Sequence, residues 1–227
     1  MNFVVSCIPF FIALAFHLVC CVIKAPRALS ISKSILMPLL ALGVIVTCLT
    51  NKQPIPVILI LGILFGMVGD IALLGKITPV KFAMGCIAFG LGHLFYMLIL
   101  IPRSHFWTLP VWVLVVVGLV IAAIIVVIYF MLHKPKGLMC GAALIYSTEF
   151  VFIVFVSIAA IFVSRSTLGS FSLVSPSTYR ACLGLIIFIL SDVILSNTVF
   201  VKDFKYSAVA VMSMYSIGQF FIAWGLQ

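Results

Sequence analysis

A chain of 227 residues that is 66% hydrophobic and only 7% charged is not built for water, because a soluble domain carries about 25% charged residues. No stretch is polar enough to form a separate soluble domain, so residues 1–227 read as a single polytopic membrane domain with short loops. The formal charge of +9 suits basic loops facing anionic lipid at a membrane surface and calls for no nucleic acid.

Crossing a hydrocarbon layer of about 30 Å takes roughly 20 apolar residues in a helix. Between charged and Pro-bearing breaks the chain offers eight such runs, at about 3–23, 34–50, 55–74, 80–101, 109–132, 138–163, 181–201 and 207–226. Transmembrane β-strands would be about 10 residues long with alternating polarity. These runs are longer and unbroken, so the predicted fold is an all-α membrane protein, a bundle of eight transmembrane helices. The first run has no basic stretch ahead of it and no small-residue cleavage site, so it reads as a retained helix rather than a signal peptide. The second is short and carries a Pro near its start, which leaves its ends the least defined.

Orientation follows from Lys and Arg. Connections after helices 1, 3, 5 and 7 hold Lys24, Arg27, Lys33, Lys76, Lys81, Lys134, Lys136, Lys202 and Lys205; those after helices 2, 4 and 6 hold Lys52, Arg103, Arg165 and Arg180. Nine against four places the first set in the cytosol and both termini outside it. The seven cysteines (7, 20, 21, 48, 86, 140 and 182) lie within or at the ends of apolar runs, with no CxxC pair and no metal-ligand spacing to His. They read as small buried hydrophobes, with Cys20 and Cys21 beside Lys24 as an acylation option.

One internal repeat stands out. Leu61-Gly62 precedes Asp70 as Leu183-Gly184 precedes Asp192, with the same eight-residue step from Gly to Asp. Four helices separate the copies, so both run in one direction through the membrane, as a parallel repeat of halves about 1–105 and 106–227. Twenty-three residues beyond each Asp stand His93 and Tyr215, polar in both copies and different between them. The site between the halves is therefore expected to be asymmetric.

Three of the four acidic residues, Asp70, Glu149 and Asp192, fall inside apolar runs, where each ionisable group costs about 2.5–3.5 kcal/mol on insertion scales. A single such carboxyl is as readily packing glue as functional; three together with His93 favour function. Gly62, Gly66 and Asp70 share a helical face, and small residues there allow a neighbouring helix to come close. Gly85, Gly92, His93 and Tyr96 share another face. Tyr146 and Glu149 lie three apart, Gly184 and Asp192 two turns apart with Ser191 and Ser196 nearby, and Tyr215 aligns with Gln219. These polar stripes converge only at the bundle centre, which predicts a partly wet internal cavity.

A carboxyl taken out of water favours its neutral form, so of two neighbouring carboxyls one can give a proton while the other stays ionised. That suits acid-catalysed hydrolysis through an oxocarbenium-like intermediate, and equally suits proton-coupled transport. A metal site from His93 and two Asp lacks a tight motif such as HExxH, and serine hydrolysis lacks GxSxG.

The strings GMVGDIALL (66–74), FGLGHLFYM (89–97), ILSDVILS (189–196) and MYSIGQFFIA (214–223) resemble, in order and spacing, the YhhN family of membrane proteins, which includes the animal lysoplasmalogenases. The likeness runs from about Lys33 to the C-terminus. Where that family commonly has paired Tyr residues before the late Gln, this chain has Met214-Tyr215. The resemblance implies hydrolysis of the vinyl-ether bond of choline or ethanolamine lysoplasmalogens to a fatty aldehyde and a glycerophospho-base, with no cofactor and no metal. Asp70 and Asp192 would share the roles of acid and base, in either order. His93 and Tyr96 would position water or tune one carboxyl, Glu149, Tyr146, Tyr215 and Gln219 would support, and Lys33 would meet the lipid phosphate. The expected partners are a lysophospholipid substrate and membrane lipid; oligomeric state is left open, a homodimer included. The rival readings are a proton-coupled transporter or lipid carrier using the same carboxyls, and a non-catalytic scaffold. For a eukaryotic chain the endoplasmic reticulum membrane is the expected location, and a bacterial inner membrane fits the physics equally.

Overall fold

The computed structural model describes residues 2–104, 110–113, 115–116, 118–120, 122–123, 137–166 and 175–227, with the backbone alone at 104 and 158–166. Helices α1 (Phe3–Ser6), α2 (Ile8–Ile23), α3 (Pro26–Thr50), α4 (Val57–Ala72) and α5 (Pro79–Ser104) precede α6 (Leu138–Ser166), α7 (Pro176–Phe200) and α8 (Ser207–Leu226). The described residues between 111 and 123 are helical as well, and no strand occurs among the described residues. In hydrocarbon only an element that pairs its own backbone groups is stable, and these apolar sequences satisfy that condition as helices.

Five of the helices are long and apolar enough to cross a bilayer: Pro26–Thr50, Pro79–Arg103, Leu138–Ser157, Pro176–Phe200 and Ser207–Leu226. Helices α2 and α4, at 16 residues each, are apolar but shorter than the roughly 20 residues of a full crossing. The fifth expected span, 109–132, lies mostly outside the described residues. The described helices thus form a membrane-type bundle with five such spans, against eight expected from the sequence.

Punctuation by proline sets several starts. Pro26 and Pro176 occupy first-turn positions of α3 and α7, where the missing N–H has no helical partner to lose. Helix α3 consequently begins eight residues before the expected 34, and its Ser30, Ser32 and Ser34 hydroxyls donate back to carbonyls four residues earlier. Helix α2 ends on Lys24 in the left-handed region (φ 54°), the geometry of a helix C-cap.

Sequential hairpins organise the bundle. α7 packs most extensively on α8, α4 on α5, and α6 on α5, while α6 and α7 touch more lightly. Glycines permit the closest approaches. A methyl on Gly184 would lie 2.6 Å from the Ile222 nitrogen and 2.7 Å from the Gly218 carbonyl. One on Gly62 would run into the Tyr96 ring and lie 3.1 Å from the Gly92 carbonyl. Positions 62 and 96, like 184 and 218, are 34 residues apart, so the two hairpins close on matching positions. Cys20 and Cys21 are buried, and Cys21 Sγ lies 3.6 Å from His17 Nε2, which removes them as exposed acylation sites.

Candidate functional site

The glycine face of α4 works as its spacing predicts. Gly62, Gly66 and Asp70 are all buried, and a methyl on Gly66 would stand 3.1 Å from the Tyr215 hydroxyl and 3.4 Å from Gln219 Nε2. The absent side chain lets α8 bring its polar stripe down onto α4. There the Tyr215 hydroxyl donates to Asp70 Oδ2 at 2.8 Å. On the other oxygen of Asp70, Lys33 Nζ lies 3.3 Å from Oδ1, with the lysine side chain 18% exposed and the aspartate 3%. Lys33, expected at the interface, reaches inward from the first half of α3 as a counter-ion.

Asp192 is built differently. It is 6% exposed, its Oδ2 accepts the Tyr146 hydroxyl at 2.8 Å, and no Lys or Arg pairs with it among the described residues. The neighbouring Ser191 is fully buried and donates to the Val211 carbonyl at 3.0 Å, which ties α7 to α8 beside the carboxyl. Tyr146, grouped with Glu149 by helical spacing, bonds across to α7 instead.

An aromatic partition stands between the two tyrosine–aspartate pairs. Phe188 lies 5.3 Å from the Tyr215 ring and 4.5 Å edge-on from His93. Phe89 contacts both Phe188 (6.1 Å) and Tyr215 (5.9 Å). His93, 1% exposed, stacks on Tyr146 at 5.9 Å and tilts against Tyr96 at 6.3 Å. Its Nδ1 is 3.9 Å from Glu149 Oε1, beyond hydrogen-bond reach, and has no hydrogen-bond partner. Glu149 is the most exposed of the three intramembrane acids, at 26%, and rests against Gly90. Tyr96, fully buried, donates to Gln219 Oε1 at 2.6 Å, which holds α5 to α8.

The nine expected site residues therefore form one connected region: Lys33, Asp70 and Tyr215 on one side, Asp192 and Tyr146 on the other, His93 and Glu149 between, and Tyr96 with Gln219 alongside. Phe89 and Phe188 belong to it without having been singled out, since a Phe in an apolar helix carries no signal of its own. The buried bond between His17 Nδ1 and Ser32 Oγ at 2.7 Å, one residue from Lys33, was not singled out either, although His17 inside the apolar run 3–23 is the same kind of signal that marked His93. Among the described residues no three His, Cys, Asp or Glu side chains gather as metal ligands.

Among the described residues, two cavities reach this region. One of about 720 Å³ includes His17, Lys33, Leu73, Thr198, Asp203 and Met212 in its lining. It lies where α2 ends, α3 begins and the α4–α5 and α7–α8 loops meet. The other, about 420 Å³, is lined by α5, α6 and α7 and has Tyr146 and Asp192 in its wall.

A helical bundle with five bilayer-length spans and two tyrosine-bound aspartates in its core has the make-up of a polytopic membrane protein whose polar centre is buried in apolar helices. Its family is established by the sequence: the YhhN family model matches residues 29–226, and the chain belongs to the YhhN family. Neither a curated protein nor a solved structure matches it.

Proposed function

We propose that this YhhN protein is a lysoplasmalogenase, an intramembrane hydrolase that cleaves the vinyl-ether bond of choline or ethanolamine lysoplasmalogens. The observation that carries the reading is the unequal wiring of two buried carboxyls, Asp70 with Lys33 and Tyr215, Asp192 with Tyr146 alone. Vinyl-ether hydrolysis needs one proton donor and one group that steers water. Proton transfer to the carbon next to the chain creates an oxocarbenium ion at the ether carbon. Water then adds to that carbon and loses a proton, and the hemiacetal collapses to a fatty aldehyde and the glycerol hydroxyl. Water is consumed, the proton is returned, and no oxidant or cofactor enters the balance.

Asp70, whose charge Lys33 matches, is the carboxylate that steadies the cation and receives the water's proton. Asp192 is the donor, with Oδ2 held by Tyr146 and Oδ1 available. His93 and Tyr96 position water, Glu149 and Gln219 support them, and the substrate is a lysophospholipid drawn from the surrounding membrane lipid. The same reading completes the topology with eight crossings, two repeated halves and both termini outside the cytosol, in the endoplasmic reticulum membrane. The closure of both hairpins on matching positions supports the repeat.

Purified protein given lysoplasmalogen is expected to release fatty aldehyde, and Asp70→Asn and Asp192→Asn proteins that still fold are expected to lose that release. Aldehyde release retained in both variants would sink the mechanism. Solute flux or lipid transfer that depends on the same residues, with the lysolipid chemically unchanged, would make the protein a carrier instead.

A further inference from the structure

Among the described residues the wall of the bundle is open between α6 and α7. Each helix contributes a single face to the 420 Å³ groove there: the lining positions fall 3, 4, 7, 8 and 11 residues beyond the first, which is Ala143 on α6 and Ile189 on α7. Steps of three and four keep side chains on one side of a helix, so two straight stripes face one another across the gap. Eleven residues at 1.5 Å rise give about 16 Å of groove, close to half of a hydrocarbon core of about 30 Å. The groove is thus one leaflet deep.

Its two ends differ in polarity. Toward the C-terminus of α7 the lining holds Ser147, Ser196 and Asn197 among the apolar Phe82, Ala143, Phe200 and Val201, and Lys202 follows just past that end. Toward the other end it is Phe150, Val151, Val154 and Ile189, all apolar. Tyr146 and Asp192, bonded to each other at 2.8 Å, stand between. An end with three polar side chains next to Lys202, a wholly apolar end one leaflet away and a carboxyl partway along match an amphiphile with one anionic head and one chain.

We infer that this groove seats a single-chain phospholipid entering sideways from the bilayer, its phosphate at the Lys202 end and its chain along Phe150, Val151 and Ile189. The chain carbons nearest the head then pass Asp192, and on the hydrolase reading, on which this consequence rests, Asp192 rather than Asp70 meets the carbon that takes the proton. The occupancy of the groove does not depend on the reaction.

The test uses the full protein in phosphatidylcholine bilayers with a lysophosphatidylcholine that carries a diazirine partway along its chain. After irradiation and digestion, adducts are expected on the α6 stretch 143–154 and the α7 stretch 189–200. Val151→Trp and Val193→Trp fill the groove from opposite walls and are each expected to lower that labelling about tenfold or more, the scale set by steric exclusion from an apolar pocket. Two variants guard against one that fails to fold, and the wild-type map needs neither. Adducts spread over the lipid-facing sides of α2 and α3, or confined to the cavity at Lys33, would overturn the groove and leave the hydrolase reading standing. Adducts in the groove with no aldehyde released from lysoplasmalogen would keep the groove and remove the hydrolase.

Discussion

Asp70 and Asp192 hold matching places in their helices, each eight residues beyond a glycine, and each accepts a tyrosine hydroxyl at 2.8 Å. Beyond that their surroundings part. Asp70 has a lysine at 3.3 Å, and that lysine lines a cavity on the side of the α2–α3 and α7–α8 loops. Asp192 has no cation partner among the described residues and forms part of the wall of an apolar groove. Equal spacing from a glycine supplies two carboxyls of like placement in their helices; the lysine from α3 and the tyrosine from α6 make them unequal. In a membrane core, where an unmatched charge is costly, the partner decides what each carboxyl can do.

The sharpest way to break this comparison is to neutralise the acids one at a time. Asp70→Asn and Asp192→Asn are both expected to lower kcat for aldehyde release by about 10²–10⁴-fold, the span of a single acid or base. Only Asp70→Asn leaves a lysine unpaired, so it alone is expected to lower the thermal unfolding midpoint in detergent. An equal loss of stability in both would deny the asymmetry. Next, Lys33→Met leaves the Asp70 charge unmatched and is expected to destabilise by about 3 kcal/mol, the low end for breaking a buried pair because the lysine keeps some exposure; Lys33→Arg is expected to recover part of it. In the double variant Lys33→Met/Asp70→Asn the stability loss should be smaller than the sum of the singles, read as coupling in a double-mutant cycle.

Removing the phenols sharpens the same contrast at smaller cost. A hydrogen bond to a charged group is worth about 1.5–3 kcal/mol. Tyr215→Phe is expected to spend that loss on stability, since the phenol helps hold a charge in the core. Tyr146→Phe is expected to show it in kcat, with unfolding little changed. Smallest of all, Gly184→Ala and Gly62→Ala are each expected to destabilise by about 1–3 kcal/mol through overpacking, the first because its methyl would meet the backbone of α8, the second because it would run into the buried Tyr96 ring. Unfolding curves of the two alanine variants compare them directly.

Much of the bundle was legible in the residue string because hydropathy is the property the bilayer selects. The expected runs 138–163 and 207–226 coincide closely with α6 and α8. The starts of α3 and α7 were missed by eight and five residues: Arg27, the serines and Lys33 in one, and Thr178 to Arg180 in the other, look like loop. The serines satisfy themselves on their own helix, and Lys33 turns inward to Asp70. The inward face of α4 was legible because glycine spacing reports close packing within one helix. Pairings between helices were not: Tyr146 stands three residues from Glu149 in sequence, yet its hydroxyl goes to Asp192, and periodicity along one helix carries no information about what faces it.

The most direct measurement is the mass of the product made in heavy water. Hydrolysis of lysoplasmalogen by the purified protein in D₂O is predicted to yield a fatty aldehyde with one deuterium on the carbon next to the carbonyl, delivered through Asp192, and Asp192→Asn protein is predicted to yield about a hundredfold less of it or lower still. Undeuterated aldehyde, or equal yield from the Asp192→Asn protein, would contradict the account.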